Sequence, residues 1–295
     1  MALKHTILAG AAAIGAAAIA AIPVYADGIP ASYKDTAPPP PLWTGLYVGA
    51  HLGGGWTDID FGRNRYYDYT FSQTSPYWYD YTGGLSGSGV FGGFTLGYNF
   101  QFGQCCNYIY GIELDIGGWR DDASKTIYID DDRRGLDPDA STRIRFTNRG
   151  GFYGDITGRL GYAAGNTLIY AKGGFAWLNN SFRVGVNREN GGTGYNYDWS
   201  STTDNGNTLA GWTVGGGLEY KWNYTWSVKA EYLYFNFGEP NVGGGCCYDY
   251  QDGISADAQR ERRYGADFKD LGDLTASSFK LGVNYAIFTP PAHLK

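Results

Sequence analysis

The sequence lacks the features that helical membrane proteins and nucleic-acid-binding proteins require. Beyond residue 26 no continuous apolar run is long enough to cross a membrane as a helix. The formal net charge is −6, and no basic patch with interleaved aromatics occurs, which argues against nucleic acid as a partner. Only 3 His occur in 295 residues, which disfavours a His-based catalytic constellation.

The first 26 residues have the pattern of an export signal. Lys4 and His5 form a short basic start, residues 6–22 are a nearly unbroken run of Ala, Ile and Gly, and Val24-Tyr25-Ala26 fits a cleavage site. The alternative is a transmembrane anchor, which the weakly apolar composition disfavours. We expect residues 1–26 to be a cleaved signal peptide. Residues 27–42, which contain a run of prolines, are expected to form an extended periplasmic lead-in.

Glycine and tyrosine are abundant, at 46 and 26 residues, and this composition favours an all-β fold. The clearest pattern is in Gly211–Phe237, where two alternating runs are joined by a short turn. One face carries aromatic and aliphatic side chains, and the other carries Glu219, Lys229 and Glu231. In a soluble protein the apolar face would be the core. In a transmembrane barrel it would contact lipid, with the charges in the lumen.

The order of long and short connections decides between these readings. Eight alternating segments occur, and the connections after the first, third, fifth and seventh are long and polar, whereas the others are short. Outer-membrane barrels have short periplasmic turns and long outside loops. We therefore predict an all-β, eight-stranded antiparallel up-and-down transmembrane β-barrel over residues 43–288, in a Gram-negative outer membrane. The strands are expected at about 43–56, 89–100, 108–119, 150–163, 168–178, two runs within 211–237, and 275–288.

Nine ionisable residues fall on the inward faces of these segments. A charge facing lipid would cost about 2–4 kcal/mol near the midplane, so the barrel requires them to point inward. Because an eight-stranded barrel leaves little room for water, nearly balanced charges predict a salt-bridge network that fills the lumen. A selective ion path is the alternative. The nine are Glu113, Asp115, Asp155, Arg159, Lys172, Glu219, Lys229, Glu231 and Lys280.

The turn between the sixth and seventh segments is rich in aromatics. Trp222, Tyr224 and Trp226 lie within or next to it. In outer-membrane barrels such residues form a girdle at the membrane interface. We expect these three at the periplasmic rim.

Several motifs together resemble one family. They are Trp43–Gly49 (WTGLYVG), Gly53–Trp56 (GGGW), Gly158–Tyr162 (GRLGY), Gly211–Glu219 (GWTVGGGLE), Lys229–Tyr232 (KAEY) and Gly282–Tyr285 (GVNY). The chain resembles the small outer-membrane β-barrel proteins of alphaproteobacteria, known as porin-family or outer-membrane immunogenic proteins and related to the OmpA-like transmembrane domain. The resemblance implies an eight-stranded surface barrel with roles in envelope integrity, surface recognition or, in some members, haem binding or modest permeability.

The chain departs from this family at its C-terminus. Members commonly end on the aromatic residue that closes the last strand and assists the insertion machinery, whereas here Phe288 is followed by a tail of residues 289–295. The expected partners are outer-membrane lipid and lipopolysaccharide, the insertion machinery, and an extracellular ligand of the long loops. No cofactor is expected.

The four cysteines form two adjacent pairs, Cys105-Cys106 and Cys246-Cys247. The predicted topology puts the first pair in a periplasmic turn and the second in an outside loop, too far apart for a disulfide between pairs. Since export leads to an oxidising compartment, four free thiols are disfavoured. Disulfides within each adjacent pair and links between molecules are the hypotheses left open, together with metal binding, for which His partners are lacking.

Other polar residues permit weaker hypotheses. His51, on an inward face, is expected to be a packed lumen residue, with haem ligation as the alternative. The acidic residues Asp121, Asp122 and 130–132 read as a solvated loop, with surface cation binding as the alternative. A loop patch of Arg260, Arg262 and Arg263 is either solvated or in contact with lipopolysaccharide phosphates.

Three functions follow from this sequence. The first is a non-enzymatic structural or surface-interaction barrel whose lumen is plugged by charged side chains. The second is a narrow porin-like channel for small solutes. The third, a lipid-modifying or peptide-cleaving barrel enzyme, is disfavoured because a His-based catalytic constellation is missing.

Overall fold

The computed structural model describes residues 43–70, 77–102, 107–130, 141–189, 199–240, 246–252, 261–267 and 271–288. All of them belong to the compact unit Pro40–Lys295. The predicted signal peptide, lead-in and C-terminal tail lie outside the described residues. The strands are β1 (Gly45–Thr70), β2 (Tyr77–Gln101), β3 (Tyr108–Asp130), β4 (Ser141–Ala164), β5 (Thr167–Glu189), β6 (Trp199–Lys221), β7 (Trp226–Asn236), β8 (Cys246–Asp252), β9 (Glu261–Asp267) and β10 (Leu271–Phe288).

Eight of these strands form a closed antiparallel barrel. Each of β1 to β7 pairs with the next in sequence, and β10 pairs with both β7 and β1. The closing ladder runs from Leu46 opposite Phe288 to Phe61 opposite Leu271. Closure removes the free sheet edges that a membrane cannot tolerate. The predicted eight-stranded up-and-down topology is therefore confirmed.

The extracellular connection between β7 and β10 contains two further strands. The sequence pattern predicts a loop over Gly238–Gly272, but β8 and β9 form a hairpin there, and β9 extends the sheet by pairing with the upper part of β1. The prediction of an uninterrupted loop is wrong at this point. The sequence of β9, ERRYGAD, lacks the alternation of apolar and polar residues that indicates a strand.

The wall strands are longer than the sequence pattern indicates. Six of them, β1 to β6, have 23 to 26 residues, whereas a strand needs only about 9–11 residues to cross a membrane. Most of what reads as polar loop in 57–87, 120–148 and 179–207 is strand that continues past the outer interface. We call this part of the wall the extension.

A β-bulge exchanges the two faces of β4 where the extension begins. The pairing of β4 with β5 shifts between Gly150 and Tyr153. Phe152 is therefore exposed, whereas Ile144 and Phe146, also at even positions, are buried at 3% and 1%. An inserted residue exchanges the two faces of a strand. The apolar side chains of β4 thus stay at even positions in the sequence, while their direction changes from lipid to the interior at the membrane boundary.

The two faces of the barrel wall differ as a membrane protein requires. Large apolar side chains cover the outside, and polar or charged side chains are buried inside. At the periplasmic end β4 and β5 are joined by the two-residue turn Gly165-Asn166, in which Gly165 has a φ of 62°. This left-handed conformation favours glycine. In the part of the chain that the structure describes, no helix has the length and apolar character to span a bilayer.

Candidate functional site: the charged layer of the lumen

Six strands bring the nine predicted charged residues into one layer inside the barrel. Because side chains alternate along each strand, residues two or four apart on β3, β4 and β7 reach the same lumen. All nine are buried, with Glu113, Asp115 and Asp155 at 0% exposure. The contributors are Glu113 and Asp115 of β3, Asp155 and Arg159 of β4, Lys172 of β5, Glu219 of β6, Lys229 and Glu231 of β7, and Lys280 of β10.

Lys172 is the centre of this layer. Its ammonium Nζ lies 2.5 Å from Glu113 Oε1 and 2.9 Å from Asp115 Oδ2. Two further carboxylates are within ion-pair distance, Asp155 at 3.7 Å and Glu231 at 3.8 Å. A buried ammonium is tolerated when it has such partners, because they replace the hydration that it loses.

Two more lysines extend the network from the opposite wall. Lys280 contacts Asp115 Oδ2 and lies 2.7 Å from Glu231 Oε2. Lys229 lies 3.1 Å from Glu113 Oε2 and 3.6 Å from Glu231 Oε1. Each of the three lysines therefore bridges at least two carboxylates, and the bridges join β3, β5, β7 and β10 across the lumen.

Arg159 forms the periplasmic side of the layer. It donates from Nη2 to Glu219 Oε2 at 2.8 Å and from Nη1 to Glu113 Oε2 at 3.3 Å. Its guanidinium carbon lies 3.9 Å from the centre of the Tyr170 ring. Ion pairing and stacking on an aromatic face both suit a planar guanidinium.

Neutral polar residues complete the layer, and sequence reasoning did not identify most of them. The Tyr47 hydroxyl donates to Glu113 at 2.7 Å and accepts from Arg159 at 2.8 Å. Ser227 and Asn284 donate to Glu219 Oε1 at 2.5 and 2.9 Å. All lie at inward positions of their strands. The alternation of inward and outward side chains along each strand is the signal that could have identified them.

His51 is packed in the lumen, with both ring nitrogens in hydrogen bonds. Nδ1 lies 3.1 Å from the Thr95 hydroxyl, and Nε2 lies 2.5 Å from the Tyr153 hydroxyl. Thr95 donates its own proton to Asp115 at 2.5 Å, so it accepts from Nδ1, and Nε2 then accepts from Tyr153. This is the arrangement of a neutral imidazole. A haem iron would have to displace one of these partners.

The carboxylates are close enough to suggest a metal centre, but lysines already fill the space between them. Glu113, Asp115 and Glu231 offer oxygens within 4.8 Å of one another. The Lys172 ammonium is within ion-pair distance of all three. It supplies the positive charge that a metal ion would otherwise bring, so the donor set fits lysine better than a bound cation.

An apolar layer covers the charged layer on the extracellular side. Phe91 stacks on Trp119 at 4.9 Å, and Tyr153 packs edge-on against both rings. Gly53 and Gly55 make room for this cluster, since a Cβ would lie 2.6 Å from Phe91 Cζ and from Trp119 Cζ2 respectively. Side chains of the extension continue the apolar filling upward, among them Ile59, Leu85, Ile144, Phe146, Phe182, Val184, Phe235 and Phe237.

A smaller apolar cluster covers the periplasmic side. It consists of Trp43, Ile109, Ala163, Leu168 and Tyr170. Beside it, Trp43, Tyr47 and Glu219 line a cavity of about 20 Å³, which has room for one water molecule. The described lumen thus has three filled layers, mainly apolar at both ends and charged in the middle.

The predicted aromatic girdle lies at the periplasmic turn between β6 and β7. Trp222, Tyr224 and Trp226 are exposed on the outer surface. Trp222 and Trp226 are parallel, with ring centres 6.4 Å apart, and Trp226 packs edge-on against Tyr285 at 4.9 Å. These positions suit an interface between lipid and water.

The remaining predicted sites lie partly outside the described residues. Cys105 and Cys106 lie outside the described residues, and Cys246 and Cys247 begin β8 with undescribed side chains, so the disulfide hypotheses stay predictions. The same holds for Arg260, which is not described, and for Arg262 and Arg263 on β9, whose side chains are not.

The sequence pattern assigns Asp121 to a solvated loop, and this prediction is wrong. Asp121 is not on a solvated surface, because it is buried at 1% inside β3 and accepts a hydrogen bond from Thr57. It follows Trp119 on the inward face of a strand that continues to Asp130. The sequence interpretation therefore ends β3 too early, at about residue 119.

Comparison with known proteins agrees with this architecture. Residues 7–286 match the family described as "Outer membrane protein beta-barrel domain". The chain is similar to a 31 kDa outer-membrane immunogenic protein of Brucella melitensis, at 32% identity over 68% of this chain and 73% of the relative. It is also similar to a 22 kDa outer membrane protein of Rhizobium leguminosarum, at 27% identity over 66% of this chain and 64% of the relative.

Among solved structures, the outer membrane protein OprG of Pseudomonas aeruginosa matches with a TM-score of 0.35 and 11% identity, over 82% of this chain and 97% of OprG. The architecture itself is set by the closed ladder of eight strands. The family match covers nearly the whole chain, and the first of these relatives exceeds 30% identity. The chain therefore belongs to the outer-membrane β-barrel protein family and is an outer-membrane protein of a Gram-negative bacterium.

Proposed function

We propose that this protein is a closed, non-enzymatic barrel that serves the cell envelope as a structural and surface-interaction protein. The observation that carries the proposal is the filling of the described lumen by three layers of buried side chains. A solute would have to displace the Lys172 bridges and both apolar clusters to pass. Each broken buried ion pair would cost about 3–5 kcal/mol.

The surface role rests on the length of the wall. The extension of β1 to β6 continues past the outer interface and carries the connections 71–76, 131–140 and 190–198. A rigid scaffold that presents loops is a common basis for recognition. We propose that these connections and the extension, rather than the lumen, contact extracellular ligands.

The second candidate is a narrow channel, and one observation favours it. Each of Lys172, Lys229 and Lys280 contacts more than one carboxylate. Such a network can exchange partners without leaving a charge unpaired, which would lower the barrier to rearrangement.

Conductance of the refolded protein in planar lipid bilayers separates the two candidates. We expect no stable stepwise current from the natural sequence. A control variant, W43A/W119A/R159A/E219A, removes side chains from all three layers at unchanged net charge and should conduct. Stable steps from the natural sequence, at the amplitude of the control, would overturn the closed-barrel proposal.

The non-enzymatic part of the proposal has its own test. Mass profiles of lipid A from cells with and without the protein should be identical. A change in acylation or headgroups that depends on the protein would instead establish a lipid-modifying activity. Insertion is expected to depend on the outer-membrane assembly machinery.

A further inference from the structure

Tyr153 and His51 form a neutral hydrogen-bonded pair beside the charged layer. The Tyr153 hydroxyl donates to Nε2 of His51 at 2.5 Å, and both side chains are buried. The pair joins the charged layer to the apolar layer above it, because the Tyr153 ring packs edge-on against Phe91 and Trp119. A phenol whose proton is directed at a basic nitrogen can do more than pack, since it can give up an electron and that proton together.

The geometry gives Tyr153 a proton acceptor. A tyrosine loses an electron readily only when its phenolic proton leaves at the same time, so a positioned base lowers the barrier. His51 Nε2 is such a base, because its lone pair faces the phenol while Nδ1 donates to Thr95. The Asp115 carboxylate lies 3.7 Å from Nδ1, where it would stabilise the imidazolium that forms.

The two other buried tyrosines have no comparable base. Tyr47 donates to Glu113, and Tyr170 donates to Glu231. Each of these carboxylates already holds two lysine ammonium groups, which a transferred proton would have to displace. Within the described residues, Tyr153 is therefore the buried phenol best placed to lose a proton.

A tryptophan lies across the barrel wall from this pair. Tyr153 faces the lumen, and the next residue, Gly154, stands opposite Trp177 of β5. Trp177 is half-buried on the outer face, since its neighbours Ala176 and Leu178 point into the lumen. Its ring lies against Gly154, where a Cβ would collide with it. Glycine thus lets the indole approach the segment of β4 that carries Tyr153.

The position of Trp177 selects the kind of oxidant that reaches it. Its ring centre is 6.0 Å from that of the exposed Phe175, and it lies beside the β4 bulge at the outer boundary of the membrane. Tryptophan at this level is among lipid headgroups and the adjoining acyl chains. An organic peroxyl radical has a polar oxygen end and an apolar carbon chain, so it collects at the same interface.

We propose that Trp177, Tyr153 and His51 form a sink for organic peroxyl radicals. The radical takes an electron and the indole N–H proton from Trp177 and leaves as a hydroperoxide. Tyr153 then passes an electron to the indolyl radical, while its phenolic proton moves to Nε2 of His51. Trp177 is restored by a proton from interfacial water. The net products are the hydroperoxide, a buried tyrosyl radical and an imidazolium, so each barrel consumes one peroxyl radical.

This activity goes beyond the structural role proposed above and is independent of whether the lumen conducts. Its test exposes the full chain, in liposomes of saturated phospholipid, to an azo initiator that generates peroxyl radicals. Peptide mass spectrometry measures the oxidation products of Trp177 relative to those of Trp56, an exposed outward tryptophan of β1. In the natural sequence Tyr153 repairs Trp177, so we expect this ratio to be low.

Two variants remove the repair in different ways. Y153F lacks the electron donor and should raise the ratio severalfold. H51Q keeps a hydrogen-bond acceptor but cannot take the proton, and loss of a positioned base slows proton transfer by about 10²–10⁴-fold. The ratio should therefore rise in H51Q as well. The control Y220F, which removes an exposed tyrosine hydroxyl at the periplasmic end of β6, should leave the ratio unchanged.

An unchanged ratio in Y153F would overturn the proposal. A rise in Y153F without one in H51Q would overturn the transfer of the proton to His51. If Y153F does not refold, a nitroso spin trap gives the decision in proteins that retain Tyr153. The trap should label Tyr153 in the natural sequence and should lose this label in H51Q and in W177F. A label of equal yield in all three would refute both the proton acceptor and the entry of the electron vacancy through Trp177.

Discussion

Replacement of Lys172 by methionine removes the charge at the centre of the lumen while keeping most of the side-chain volume. The ammonium lies within 3.8 Å of four carboxylates, two of them at 2.5 and 2.9 Å. Without it, those buried carboxylates share fewer cations. Breaking a buried ion pair from one side costs about 3–5 kcal/mol. We expect K172M to lower the free energy of unfolding by that amount.

The measurement is urea unfolding in lipid vesicles, followed by the fluorescence of the 9 tryptophans. A matched control is K125M, because the Lys125 ammonium is in the extension, outside the charged layer, where it donates to the Gly84 carbonyl at 2.8 Å. We expect this control to lose about 1 kcal/mol. The double variant K172M/E113Q should recover part of the loss through a coupling of about 0.5–3 kcal/mol. A K172M protein within about 0.5 kcal/mol of the natural sequence would refute the network as a source of stability.

Three further predictions follow from the wall and its filling. Unheated and boiled samples should migrate differently on SDS gels, because a closed hydrogen-bonded barrel resists detergent, and identical migration would count against closure. G55V should destabilise the barrel by about 1–3 kcal/mol in the same urea assay, because a Cβ at this position would lie 2.6 Å from Trp119 Cζ2. The control is G118V, at a glycine with open space around its Cβ position. Y47F should cost about 1–3 kcal/mol, since it removes the donor to Glu113 Oε2 at 2.7 Å, and an unchanged unfolding midpoint would show that this hydroxyl contributes nothing.

The sequence was sufficient for the membrane-spanning part of the barrel because that part obeys one simple rule. Between the interfaces, apolar side chains must face lipid on every second residue, so the strands and their inward charges follow from parity. Glu113, Lys172 and Lys280 could each be assigned to the lumen this way. Which of these side chains pair with one another could not be assigned, because the stagger between strands is set by closure of the whole barrel.

The extension escaped prediction for a physical reason. Outside the membrane the apolar residues face the interior and the polar residues face water, so the phase of the alternation reverses. In β5, for example, the lipid-facing Ile169 and Phe175 are at odd positions, whereas the buried Phe182 and Val184 are at even positions. A pattern followed with one phase ends where this change occurs. The long loops of the sequence interpretation were therefore strands with the opposite polarity.

The order of the three layers indicates where the function of this barrel lies. The charged layer is separated from water on one side by Trp43 and its cluster and on the other by Phe91 and Trp119. In that environment electrostatic attraction between the strands is strong, and in the closed barrel that we propose the same isolation would keep solutes away from the charges. The arginines of β4 are in the reverse situation, because the bulge holds them at the outer surface beside the lipid-facing wall. We therefore propose that the charges in the lumen stabilise the ring and that interaction with the surroundings belongs to the outer wall.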